Sequence, residues 1–399
     1  MKLIFNVKNK LENCTINVIL EQIYLILFSI LLIYQFFFTT MFSIEWPVII
    51  QTYLRTIIIL LLVLKTAVDE KPSISEFIIM FALGLIFLLS WKNNGGDEIF
   101  LCLLSIWGAR NIDLKKILKV FFGVILFLLI FTMISALTGN VENLVFYQEG
   151  RRPRMAFGIC YPTDFSAYVF YLAVIYCYFR KEKLKYIETG IIALAGILVY
   201  YFCDARLNTI CLLLTAALFS YLIFMRKRCS KHNKTYKMHS ILKYLFALSP
   251  TLCGIVMVGL SILYSPYNSI FVRLNNLLNN RLYYSNKGID IFGMSLWGQY
   301  IPMRGNGGTT EAVSNYFFLD SSYIYILLQY GILILLTILV CWFLITFKAA
   351  RQNDIEMLFA VALIAVQCIV EHHMLSIVYN PFLMAVLAKR VIQEDDISR

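Results

Sequence analysis

Seven arginines, Arg151, Arg152, Arg154, Arg206, Arg273, Arg281 and Arg304, are spaced so that they could hold an anion. The first three open the run Arg-Arg-Pro-Arg-Met-Ala-Phe-Gly, which continues to Tyr161-Pro162-Thr163-Asp164. Arg206 closes Asp204-Ala205-Arg206, and Arg281 follows Asn279-Asn280. A guanidinium is a planar fork that matches pairs of phosphate oxygens. The expected ligand is therefore anionic, and a lipid-linked pyrophosphate is the natural candidate. Two further polar turns are Asp320-Ser321-Ser322-Tyr323 and Glu371-His372-His373, the second followed by Asn380-Pro381. A carboxylate or imidazole beside such arginines could act as general base toward a sugar hydroxyl.

Each group also has a plainer reading. Arg151, Arg152 and Arg154 could snorkel at a membrane interface or contact anionic lipid. Asp204 and Arg206 could pair and cap a helix. Arg273 and Arg281 are eight residues apart, close to two helical turns, and could mark one solvated face. Short turns between spans need polar residues in any case. Arg55 lies near the middle of an apolar run, where arginine is a functional candidate by default; it could equally pair with Glu21.

The elements that must position these residues are membrane spans. Of 399 residues, 60% are hydrophobic and only 15% charged, and mean hydropathy is +0.74. A soluble domain would not be so apolar. We expect an all-α polytopic membrane protein in one membrane domain, residues 1–399, with about twelve spans. They run at roughly 16–42, 47–64, 74–91, 98–109, 116–137, 164–179, 187–203, 207–225, 241–264, 322–347, 357–370 and 376–387. Basic clusters (Lys2, Lys8 and Lys10; Arg110 to Lys119; Arg180 to Lys185; Arg226 to Lys237; Lys348 and Arg351; Lys389 and Arg390) fall on alternate turns. By the positive-inside bias both termini are cytoplasmic, and the seven arginines lie outside, against that bias. The net charge of +11 is thus a topology signal, with no nucleic-acid partner implied.

Two outer segments are long, about 138–163 and 265–320, the second between the ninth and tenth spans. Within it, Ile270–Ser285 has the spacing of one amphipathic helix lying at the interface. The ten cysteines are scattered without a CxxC pair and the four histidines lack zinc spacing, so no metal is expected. The first apolar run is too long for a cleavable signal peptide.

The order of these motifs resembles the Wzy-type polysaccharide polymerases of the O-antigen polymerase and ligase family. The resemblance rests on Arg154 with Phe157-Gly158 and Pro162-Thr163, where the family usually has Asn at the last position. It continues through Ala205-Arg206, where Ser is replaced, and through Arg281 with Phe292-Gly293. Asp320, Tyr323 and Gly331 follow at the next span, and Asn380 in the last. It covers about Arg151 to the C-terminus in order, and the first half by topology alone.

It implies a glycosyltransferase of the bacterial cytoplasmic membrane that needs no metal or other cofactor. Undecaprenyl-pyrophosphate-linked oligosaccharide repeats would be joined on the outer face into a capsular, exo- or O-antigen polysaccharide. Arg154, Arg206 and Arg281 would stabilise the leaving pyrophosphate, with Glu371, His372 or Asp320 as base. Arg151, Arg152, Arg273, Arg304, Tyr323 and Asn380 would contact substrate. Membrane lipid, a chain-length regulator and a flippase are the implied partners. A ligase of the same family and a lipid-linked oligosaccharide flippase are the alternatives; a ligase tends to carry a histidine in the large outer loop, and none of the four lies in 265–320.

Overall fold

The computed structural model describes residues 2–43, 47–69, 73–148, 150–311 and 313–390. Among the described residues, eight helices are long and apolar enough to cross a membrane. They lie in α1 (Lys2–Phe37), α2 (Val48–Val68), α3 (Ile74–Asn94), α5 (Leu114–Leu137), α7 (Tyr186–Cys203), α8 (Arg206–Ser230), α9 (Ser240–Leu263) and α13 (Ile332–Arg351). Three others, α4 (Glu98–Gly108), α6 (Pro162–Arg180) and α14 (Ile355–Gln367), sit among them. The chain is an all-α polytopic membrane protein.

Polar caps set several helix starts. Ser73 and Glu76 form a reciprocal capping box, Asp113 accepts from the Lys115 amide, Asp354 from Met357, and Pro162 opens α6. Burial then sorts the helices into two shells. In α14, Ile355 to Ala365 is buried at every position, and α6 buries Tyr168, Phe170 and Tyr171 completely. By contrast α2, α3, α7 and α9 turn Ile49, Leu60, Phe77, Phe81, Ile191, Ile197 and Ile255 outward. Such an apolar exterior suits hydrocarbon, and the inner shell is what the outer helices screen from it.

The two ends of the bundle differ chemically. One gathers the basic turns: Lys181 pairs with Asp354 at 3.5 Å, Arg226 with Glu356 at 2.6 Å, and the backbone of Lys389 forms a parallel β-bridge with that of Asp113. The other receives the ends of α1, α5, α7, α9 and α14 and the starts of α6 and α8, and there the site forms.

Four expectations change. The stretch 138–163 contains a short antiparallel hairpin, β1 (Val145–Phe146) with β2 (Arg154–Met155). The single amphipathic helix across Ile270–Ser285 is two, α10 (Ser269–Leu277) and α11 (Arg281–Phe292), because Asn279 and Asn280 are left-handed (φ 48° and 66°). Asn275 holds that break: its side chain accepts from the Tyr283 amide and donates to Asn280 Oδ1. Arg273 and Arg281 therefore share no helix face. The run 376–387 contains no α-helix, only a 3-10 turn at Pro381–Val386.

The span expected at 322–347 is interrupted as well. It begins as α12 (Ser322–Tyr325), widens to a π-turn over Ile326–Tyr330, breaks at Gly331, and resumes as α13. Gly331 has φ 97°, and a Cβ there would stand 2.4 Å from the Gly298 nitrogen and 2.6 Å from the Leu296 oxygen. The break is thus a docking point for the loop, sealed by Ile332 N donating to Ser295 O and Gln299 N to Gln329 O. Gly331→Ala combines a backbone clash with a left-handed alanine, a cost of about 2–4 kcal/mol. We expect a lower Tm and poor yield of folded protein in detergent, whereas Gly123→Ala, where a Cβ meets nothing within 4 Å, leaves both unchanged.

Candidate functional site

The helix ends opposite the basic turns enclose a cavity of about 500 Å³. Four arginines from three distant segments line it: Arg151 and Arg154 around the hairpin, Arg206 at the start of α8, and Arg281 at the start of α11. Glu371 completes the wall from the turn after α14, with Tyr161, Tyr284 and Tyr316 between. Residues from 146 to 371 converge here only because the bundle brings those helix ends together.

The arginines differ in their counter-charges. Asp204, left-handed at the end of α7, takes Arg151 Nε at 2.6 Å and lies 3.7 Å from Arg206 Nε. The expected Asp204–Arg206 pair therefore exists, but Asp204 also holds Arg151, and Arg206 remains 57% exposed. Arg281 pairs with Asp320 at 3.2 Å. Arg154 is different. It is only 7% exposed, donates to the Cys203 carbonyl at 3.1 Å, and lies over the Tyr161 ring. Among the described residues it forms no ion pair. Glu371 acts on it from across the cavity, but a buried guanidinium without a direct ion-pair partner is costly unless an anion joins it.

The other expected site residues divide. Arg152 lies over the rings of Tyr200 and Tyr201, away from the cavity wall, as an interfacial arginine would. Arg273 and Arg304 are exposed and do not line the cavity. Tyr323 is buried and donates to the Ala365 carbonyl, and Asn380 is buried and caps the 3-10 turn through Phe382 N. Both hold the scaffold behind the wall. Arg55 is tied to Asp97 at 3.2 Å and to Tyr34, while Glu21 pairs with Lys116.

Of the three expected bases, Glu371 alone lines the cavity. Burial pushes its carboxyl up to about 8 despite Arg281. Burial likewise raises Asp320, opposed by Arg281 and reinforced by Asp164, to about 6. Burial alone would lower Arg281, but Asp320 and Glu371 more than offset it and hold its charge. His372 packs against Phe318 and Tyr325, and burial with His373 beside it depresses its imidazole to about 3.

Three contributors lay outside the expected set. Ser322 donates to the Glu371 carbonyl at 2.5 Å, and its amide donates to the same oxygen, so it shapes the turn carrying the acid. Asp164 and His373 stand behind Glu371. Both belong to polar runs visible in the sequence; only their adjacency was not.

The fold and cavity define a polytopic helical membrane protein with a cationic chamber at one end. No protein-family model, no curated protein and no solved structure matches the chain.

Proposed function

We propose that this chain is a polymerase that joins oligosaccharide repeat units carried on undecaprenyl pyrophosphate, on the outer face of a bacterial cytoplasmic membrane. In this reading α4, α6, α14 and the turns of 376–387 complete twelve crossings, both termini are cytoplasmic, and the cavity opens outward. The observation that carries it is the convergence of Arg151, Arg154, Arg206 and Arg281 on one cavity, with Arg154 in no direct ion pair among the described residues.

The bond that breaks joins an anomeric carbon to pyrophosphate, so negative charge grows on the leaving group. Fixed guanidinium groups in a partly dry cavity stabilise that charge as it develops. Holding donor and acceptor side by side supplies the remaining advantage. The product would be a capsular, exo- or O-antigen polysaccharide.

A ligase of the same family is the second reading, and one observation favours keeping it. No histidine lies in 265–320, but the fold sets His372 against Phe318 of that loop, with ring centroids 5.2 Å apart. The loop therefore has an imidazole neighbour from another turn.

The test is glycan length in a deletion strain complemented with the wild-type gene. We expect single repeats without the gene and long chains with it. Long chains that stay lipid-linked in the deletion strain would make the protein a ligase. Repeats accumulating on the cytoplasmic face would make it a flippase.

A further inference from the structure

At the Glu371 wall, two of the expected bases, Glu371 and His372, stand in one group with His373. Glu371, His372 and His373 each offer a ligand atom within 4.8 Å of the others. From the first turn of α6, Asp164 Oδ1 comes within 3.4 Å of His373 Nε2, and Glu371 Oε2 within 3.7 Å. His373 is fully buried, yet neither of its ring nitrogens has a hydrogen-bond partner among the described residues, and His372 Nδ1 has none either. Leaving a buried polar atom unpaired costs about 1–3 kcal/mol, and here three meet in one place.

Those separations suit a shared ion. Metal–ligand bonds of about 2.1 Å at tetrahedral angles put neighbouring ligand atoms about 3.4 Å apart. Two imidazoles with carboxylates are a nitrogen–oxygen set typical of zinc. Two carboxylates beside neutral imidazoles also supply the charge that a divalent cation balances. His373 is held in place by stacking on Tyr379, with centroids 3.8 Å apart. The backbone from Val370 to Asn380 is non-helical and mostly buried, a form tolerated at membrane depth only inside protein or along a cavity. Because Glu371 lines the cavity, an ion has a route in.

We infer that Asp164, Glu371, His372 and His373 form a binding site for a divalent cation of the zinc type, behind the arginine cavity. The site does not depend on the reaction proposed above. The arginines still face the anion, and the cation braces the turn that carries Glu371.

The test is metal binding by the full chain, untagged, in nanodiscs, stripped with chelator and then titrated with Zn²⁺ or Co²⁺. We expect one ion per chain, the visible bands of low-coordinate Co²⁺, and a rise in Tm with Zn²⁺. His373→Asn and Glu371→Gln are each expected to weaken binding at least tenfold, while Arg154→Ala keeps the stoichiometry. A wild-type chain that binds neither ion, or full affinity in either ligand variant, overturns the inference. Should His373→Asn not fold, Glu371→Gln and the wild-type titration still decide. Glycan synthesis is not read, so failure of the polymerase reading leaves this result intact.

Discussion

Replacing Arg154 with alanine is expected to lower glycan polymerisation by about 10²–10³-fold at matched membrane levels, the range for removing one preorganised donor from a developing oxyanion. The expectation follows from its surroundings. Asp204 and Asp320 already balance part of the charge on Arg151, Arg206 and Arg281, whereas among the described residues Arg154 forms no ion pair and touches the Cys203 carbonyl and Tyr161, with Glu371 acting on it from farther off. Lysine should not rescue it, because a single ammonium cannot reach the Cys203 carbonyl and still present a fork to phosphate. Arg152→Ala is the matched control. Its guanidinium faces Tyr200 and Tyr201, so chain length should be nearly unchanged. Size profiling of the glycan from a complemented deletion strain reads both, and wild-type chain length in the Arg154→Ala strain would remove this residue from the site.

Arg281→Ala should reduce both folding and activity, and the folding loss should depend on pH. Removing the guanidinium leaves Asp320, only 15% exposed, without its partner. We expect a loss of about 1–3 kcal/mol, below the figure for a fully dry pair because Asp320 can take up a proton. The groups facing Asp320 are Arg281, Glu371, Asp164, Tyr284 and Tyr316. Its folded pKa of about 6 already lies above the ordinary value of 3.8, and losing Arg281 raises it further. A carboxyl raised in the fold favours folding below its unfolded pKa, and that contribution disappears as pH rises through the folded pKa. The deficit of Arg281→Ala should thus be small near pH 4 and largest above the raised pKa. Adding Asp320→Asn should restore most of the stability at pH 8 without restoring polymerisation. Thermal unfolding in nanodiscs at the two pH values checks this, and a deficit independent of pH would mean that Asp320 stays charged and solvated.

Much of the architecture was legible along the chain because membrane insertion depends on local properties. A run of apolar residues long enough to span and a basic turn beside it are features of contiguous sequence. Hence α1, α2, α3, α5, α7, α8, α9 and α13 stand close to where hydropathy puts them. Hydropathy failed at breaks set by single residues. It could not register the left-handed Asn279–Asn280 pair, nor distinguish Gly331 inside an apolar run from an ordinary helical glycine. Nor could it see that 376–387, mostly buried, forms turns and a 3-10 segment in place of a helix.

The sequence alone determined that the chain is helical, that it belongs in a membrane, and that its unusual arginines gather in a few polar segments. Tertiary structure decided which of them act together. Arg154 and Arg281 meet at one cavity while Arg152, Arg273 and Arg304 do not. Asp164 reaches His373 although the whole central part of the chain separates them. A charge pattern along one dimension records which residues are polar. Whether two of them share a dry pocket depends on helix packing and on a few left-handed turns, and those belong to the fold as a whole.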